Sequence, residues 1–236
     1  MNTQYKTFAF ILLITTVLCA VDQDAYTSNS QTSSSNSILD IAYLEAKCPN
    51  NGAMKSFKIL YDSGSVKYSY VCYSAKTAKT EYDESVLKDL LISKTTSTVS
   101  CNSNIGSISG LTVKCPVDYA INSFQLVTDS SKTQCSFSYN CVGIKPKLVG
   151  ILKGSSDKVS SDVSKLSSLS DLNCGSTSLE SESETGFPLN WFKVESDSSS
   201  YFQYSYGYQK LRDIKSFKDG TLESTAALRN NNDQKN

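Results

Sequence analysis

The sequence predicts a mostly β fold: three hairpin-containing repeats of about 67 residues, packed with pseudo-threefold symmetry as a β-prism-like assembly, with short helical excursions between them. Residues 115–141, CPVDYAINSFQLVTDSSKTQCSFSYNC, read as strand, polar turn and strand. Residues 48–72, CPNNGAMKSFKILYDSGSVKYSYVC, follow the same plan, and residues 188–208, PLNWFKVESDSSSYFQYSYGY, follow it loosely. In each copy a Phe (Phe57, Phe124, Phe192) is followed by an aliphatic two residues on and an Asp three further. Each copy closes on an aromatic-Ser-Tyr triplet, at Tyr68-Ser69-Tyr70, Phe137-Ser138-Tyr139 and Tyr204-Ser205-Tyr206. The three Phe stand 67 and then 68 residues apart, so they are the predicted core residue of each repeat.

Residues 1–20 read as a signal peptide. Lys6 supplies the positive start, an apolar run over residues 8–18 follows, and Leu18-Cys19-Ala20 offers a cleavage site. The run is too short to span a bilayer, so no transmembrane segment is expected. Residues 21–37 are rich in Ser, Asn and Thr without apolar periodicity and read as a flexible leader. No Asn-x-Ser/Thr sequon occurs.

Residues 38–218 form the expected three-repeat domain. A lone hairpin is marginal in water, so three copies must bury their faces on one another. Alternation places Phe57, Ile59 and Tyr61 on one face of the first strand, with Met54, Ser56, Lys58 and Leu60 on the other. Residues 85–92, SVLKDLLI, predict a short helix. Val159, Val163, Leu166, Leu169 and Leu172 predict a second over residues 155–172. Residues 219–236 read as a disordered tail.

With Cys19 removed alongside the signal, Cys48, Cys72, Cys101, Cys115, Cys135, Cys141 and Cys174 remain. An exported chain with this many cysteines carries disulfides, and wide spacings without a CxxC pair argue against zinc. Two schemes fit. One closes each hairpin unit, Cys48 with Cys72 and Cys115 with Cys141; the other staples neighbours, Cys72 with Cys101 and Cys141 with Cys174. Both leave an odd thiol, either free and buried or available for an oligomer through a bond to another molecule.

The chain contains no histidine, which removes Ser-His-Asp and Cys-His catalysis and the usual zinc-hydrolase ligands. Glu180, Glu182 and Glu184 alternate with Ser as in a solvated loop, and Gly106 and Gly110 match no phosphate-binding fingerprint. Lys+Arg and Asp+Glu both number 23, so no global field attracts nucleic acid. The chain reads as no enzyme and needs no cofactor. Its functional signal is aromatic: Trp191 and Tyr201 fall opposite the core face of the third repeat, where they suit contact with a glycan or an extracellular protein partner. The recurrence of aromatics in every copy favours core packing for the others.

At residues 118–126, DYAINSFQL, the chain resembles the repeated Asp-x-Ala-aliphatic-Asn-small-hydrophobic-x-Leu motif of vitelline membrane outer layer proteins. The third copy keeps Leu189-Asn190; the first keeps Ala53-Met54 and has Asn51 where Asp118 stands. The period is longer here, and the closing Tyr-Ser-Tyr lies outside that pattern. The resemblance implies a secreted, disulfide-bonded β-prism associated with extracellular coats and carbohydrate. The expected role is therefore a non-catalytic structural or glycan-binding protein of an extracellular coat or secretory granule lumen. The alternative is a soluble recognition or adhesion module.

Overall fold

A computed structural model of the chain describes residues 24–32, 36–73, 87–144, 148–156, 158, 165–169, 172–175, 188–196 and 201–211. The expected signal peptide and C-terminal tail lie outside these residues. In chain order the strands are β1 (Asp24–Thr27), β2 (Gln31–Thr32), β3 (Glu45–Lys47), β4 (Ala53–Asp62), β5 (Ser65–Tyr73), β6 (Leu87–Thr95) and β7 (Val99–Ser100). There follow β8 (Thr112–Lys114), β9 (Tyr119–Thr128), β10 (Gln134–Ile144), β11 (Leu148–Ser155), β12 (Asn173–Cys174), β13 (Leu189–Ser196) and β14 (Phe202–Leu211). Among the described residues the fold is three antiparallel sheets with three short 3-10 turns and no α-helix.

All three sheets have the same order. A hairpin (β4–β5, β9–β10 or β13–β14) forms the centre of each. The closing strand of each hairpin carries an edge strand: β1 on β5, β6 on β10, β11 on β14. The opening strand carries a short strand that comes from elsewhere in the chain. Strand β3, just before the first hairpin, pairs with β9 of the second; β8, before the second, pairs with β13 of the third. Strand β12, before the third hairpin, pairs back onto β4 of the first. Every sheet is therefore incomplete without a segment that precedes a different hairpin.

The core follows from the registers. Phe57 pairs with Tyr70, Phe124 with Tyr139 and Phe192 with Tyr206, and the next inward pairs are Ile59–Tyr68, Leu126–Phe137 and Val194–Tyr204. Phe57, Phe124 and Phe192 are 3%, 1% and 2% exposed, as their spacing predicts. Their ring centroids lie 4.5, 4.7 and 4.8 Å apart, a nearly equilateral triangle of tilted and edge-to-face contacts. On the outer side of each Phe a short strand presents a small residue: Ala46 to Phe124, Val113 to Phe192, Cys174 to Phe57. Cys174 thus holds the place of Ala and Val, which is why it is buried and free.

The disulfides are Cys48–Cys72, Cys115–Cys141 and Cys101–Cys135. The hairpin-closing scheme holds, and the neighbour-stapling scheme fails because Cys101 bonds the start of β10 and Cys174 lies in the core. In the third hairpin Tyr208 stands where Cys72 and Cys141 stand, opposite Leu189 as they are opposite Met54 and Ile121. Its hydroxyl donates to the Gly175 carbonyl.

Three expectations are corrected. Residues 85–92 do not make a helix: β6 begins at Leu87 and pairs with β10. The edge of β10 satisfies that backbone, whereas a helix of eight residues is marginal without tertiary support. Of the second expected helix, the described residues show β11 running to Ser155 and a 3-10 turn at Leu166–Leu169, while Val159 and Val163 lie outside them. The expected leader supplies β1 and β2, both paired with β5, and Ser37 caps a 3-10 turn with a capping box to Asp40. The leader thus supplies the first hairpin with the edge strand that β6 and β11 supply to the other two.

Local geometry accounts for the remainder. Ser63 and Gly64 both have positive φ (47° and 80°) in a two-residue turn joining Asp62 to Ser65, the form that matches strand twist. Register slips at Lys55, Asn122 and Asn190 mark a bulge near the start of β4, β9 and β13. The slip turns Met54 inward, so it is buried with Phe57 rather than opposed to it. At the other two bulges the Asn side chain is buried and holds the loop before a neighbouring hairpin. Asn122 Nδ2 donates to the carbonyls of Cys48 (3.2 Å) and Gly52 (2.7 Å). Asn190 Nδ2 reaches those of Cys115 (3.2 Å), Pro116 (3.1 Å) and Tyr119 (2.8 Å). The 3-10 turns add Ile38 and Ile41, Ile105 and Ile108, and Leu166 to the core, each followed by a buried Leu44, Leu111 or Leu172.

Phe124→Ala should cost about 3–5 kcal/mol, as for a core aromatic, with Phe57→Ala and Phe192→Ala in the same range. Urea unfolding with disulfides intact measures it, and a cost below ~1 kcal/mol would contradict the packing. Asn190→Ala removes a buried donor shared by three carbonyls and should cost about 1–3 kcal/mol in the same assay.

Candidate functional site

Among the described residues, the centre of the core is filled. Around the three Phe rings, between Ile38, Ile108 and Tyr204, the cavity amounts to about 10 Å³, at most one water. Burial raises the phenols of Tyr68, Tyr73 and Tyr204 well above their ordinary value, and the Cys174 thiol likewise. These groups stay neutral, and Cys174 is out of reach of another molecule in the folded chain. Of the expected pair, Trp191 belongs to the third sheet and Tyr201 immediately precedes its strand β14.

Directly opposed residues of an antiparallel ladder share a face. Across the third sheet one outer row runs Lys114, Trp191, Gly207, Lys153 over β8, β13, β14 and β11. The next row runs Thr112, Lys193, Ser205, Ser155. A third pairs Glu195 with Gln203. Trp191 is half-buried because its indole lies over Gly207. A Cβ there would come within 2.7 Å of both Cδ1 and Cε2, so only glycine leaves the ring this position. Lys114 and Lys153 are exposed on either side.

Tyr201 is not beside Trp191. It precedes Phe202, which pairs with Ser196, whereas Trp191 pairs with Gly207. Six residues of strand separate the two positions, about 20 Å. Lys158 covers Tyr201, its ammonium 4.2 Å from the ring centroid. Between these ends Lys193 and Glu195 form an ion pair of 2.5 Å. The Lys193 ammonium, aided by Gln203 and Ser205, holds the Glu195 carboxyl down at about 2. The one acid of this face is thus already engaged by its own neighbours.

The corresponding rows elsewhere differ. In the second sheet the row is Lys47, Ser123, Asn140, Ser93, tied by hydrogen bonds from Asn140 Nδ2 to Ser123 Oγ (2.9 Å) and from Ser93 Oγ to Asn140 Oδ1 (2.7 Å). In the first, Ser56 and Val71 hold the central places. An accessible indole between two lysines is specific to the third sheet. The sequence pointed to Trp191; Lys114 and Lys153 it could not supply, because they lie 77 and 38 residues away and only the register joins them.

Comparison with family models, curated proteins and solved structures finds no match for this chain. Among the described residues no group of three His, Cys, Asp or Glu is placed to hold a metal ion, and no helix is long and apolar enough to cross a membrane. Three disulfides fit an extracellular protein.

Glu195 has a folded pKa of about 2 against an ordinary 4.5, so its contribution to stability is present above pH 4.5 and is lost as pH falls toward 2. Asp129, held near 2 chiefly by the Ser131 hydroxyl and the Gln134 amide, shares that window. Carboxyl NMR titration should place Glu195 near 2. Glu195→Gln should flatten, without abolishing, the acid limb of a melting-temperature profile; a Glu195 midpoint near 4.5 would contradict the ion pair.

Proposed function

We propose that this chain is an exported, non-catalytic glycan-binding protein of an extracellular coat or secretory granule, built as a β-prism with pseudo-threefold symmetry. The closed exchange of short strands among three like-ordered sheets, and the equilateral meeting of Phe57, Phe124 and Phe192, support the prism. The likeness of residues 118–126 to vitelline membrane outer layer proteins is consistent with it. The observation that carries the binding role is the third sheet's outer face, where an accessible indole is fixed on a rigid ladder while the centre of the core is filled. A flat apolar ring with polar neighbours suits the face of a sugar. Coat and granule settings are oxidising, as three disulfides require.

A glycan array probed with the disulfide-intact chain tests the reading. Reproducible binding to a defined class of glycans is expected, with loss after full reduction, since removal of each native disulfide costs about 2–5 kcal/mol. An array without a signal, together with saturable binding to a protein component of the coat, would replace this reading with that of a protein-recognition module.

A further inference from the structure

We infer that the outer face of the β11–β14–β13–β8 sheet binds an extended acidic polysaccharide, with Trp191 as the stacking platform and Lys114 and Lys153 as the anion contacts. The inference rests on the glycan-binding reading above and names the ligand's chemistry and its place. Among the described residues the face carries three lysines against the acid Glu195, which is spent on Lys193, Gln203 and Ser205. A chain of no net charge thus has a local positive surface, and a neutral sugar would leave Lys114 and Lys153 without purpose. Trp191 pairs directly with Lys114, and Gly207 beneath its ring pairs with Lys153, so a sugar on the indole has an ammonium on either side. The ring is pinned over Gly207 before a ligand arrives, which reduces the ordering cost of binding. Lys158 and Tyr201 extend the cationic, aromatic character to the far end of the sheet, about 20 Å away, which suits a polymer better than a single sugar. An acidic protein partner fits less well, because interface centres are depleted in lysine and the two half-buried aromatics of this face, Trp191 and Tyr201, stand about 20 Å apart rather than in an apolar cluster.

Trp191 is the sole tryptophan, so its emission reports the site directly. The full disulfide-intact chain is titrated with polygalacturonate, dextran sulfate and neutral dextran, at low and at high salt. Either acidic polymer should shift the emission and bind at least tenfold more tightly than dextran, with affinity falling as salt rises. Lys114→Gln with Lys153→Gln should weaken binding at least tenfold at unchanged melting temperature. Trp191→Phe, followed on immobilised polymer, should weaken it several-fold. Equal affinity for dextran, or acidic-polymer binding that the double lysine variant leaves intact, overturns this site while glycan binding itself stands. Failure of every glycan here and on the array overturns both.

Discussion

Three phenyl rings meeting at one point govern the spacing of everything else in this protein. Phe57, Phe124 and Phe192 each lie in a different sheet and each touches the other two, so no pair of sheets can shift without disturbing the third. Outside each ring the next strand must carry something small, and Ala46, Val113 and Cys174 do so. The constraint explains an otherwise odd thiol: Cys174 is chosen by volume, while the bonded cysteines are placed where strand ends need fastening.

The third hairpin shows how one position can be held by different chemistry. Where the first two have a disulfide, Tyr208 packs against Tyr206 and donates to the Gly175 carbonyl. Gln209, in the place of Tyr73 and Val142, is fully buried and reaches the Tyr119 carbonyl, an acceptor it shares with Asn190. Aromatic area and side-chain amides thus take over from a covalent bond. The same sheet turns an indole outward between two lysines, so departure from the common pattern inside coincides with a distinctive surface outside.

Much of the core was legible because it is periodic. The Phe spacing, the turns and the inward alternation of Tyr204, Tyr206 and Tyr208 all repeat over short windows, where period-two patterning is informative. The hairpin disulfides were one of the two schemes that the spacing of the cysteines allowed. What escaped was encoded across long separations. The short strands β3, β8 and β12 have two or three residues each, too few to show a period, and their partners lie in another hairpin. The apolar steps of three at Ile38, Ile41 and Leu44, and at Ile105, Ile108 and Leu111, mark the 3-10 turns that lead into β3 and β8; only the third such run drew notice, as a helix. The helix expected over 85–92 failed for a related reason: an open strand edge outweighed local preference.

The exchanged strands also set an order of events during synthesis. The first hairpin emerges early, and its disulfide spans only 24 residues, so Cys48 and Cys72 can join while most of the chain is still being made. Yet the free edge of β4 waits for β12, because Cys174 must travel back to lie beside Phe57. The first sheet to begin is thus completed only after the second, whose strands all precede β12. Until that return the chain resembles a ring with its clasp undone, exposing an unsatisfied edge to other chains. The step that closes the first sheet is also the step that buries the odd thiol, so closure of that sheet and retirement of a reactive group happen together.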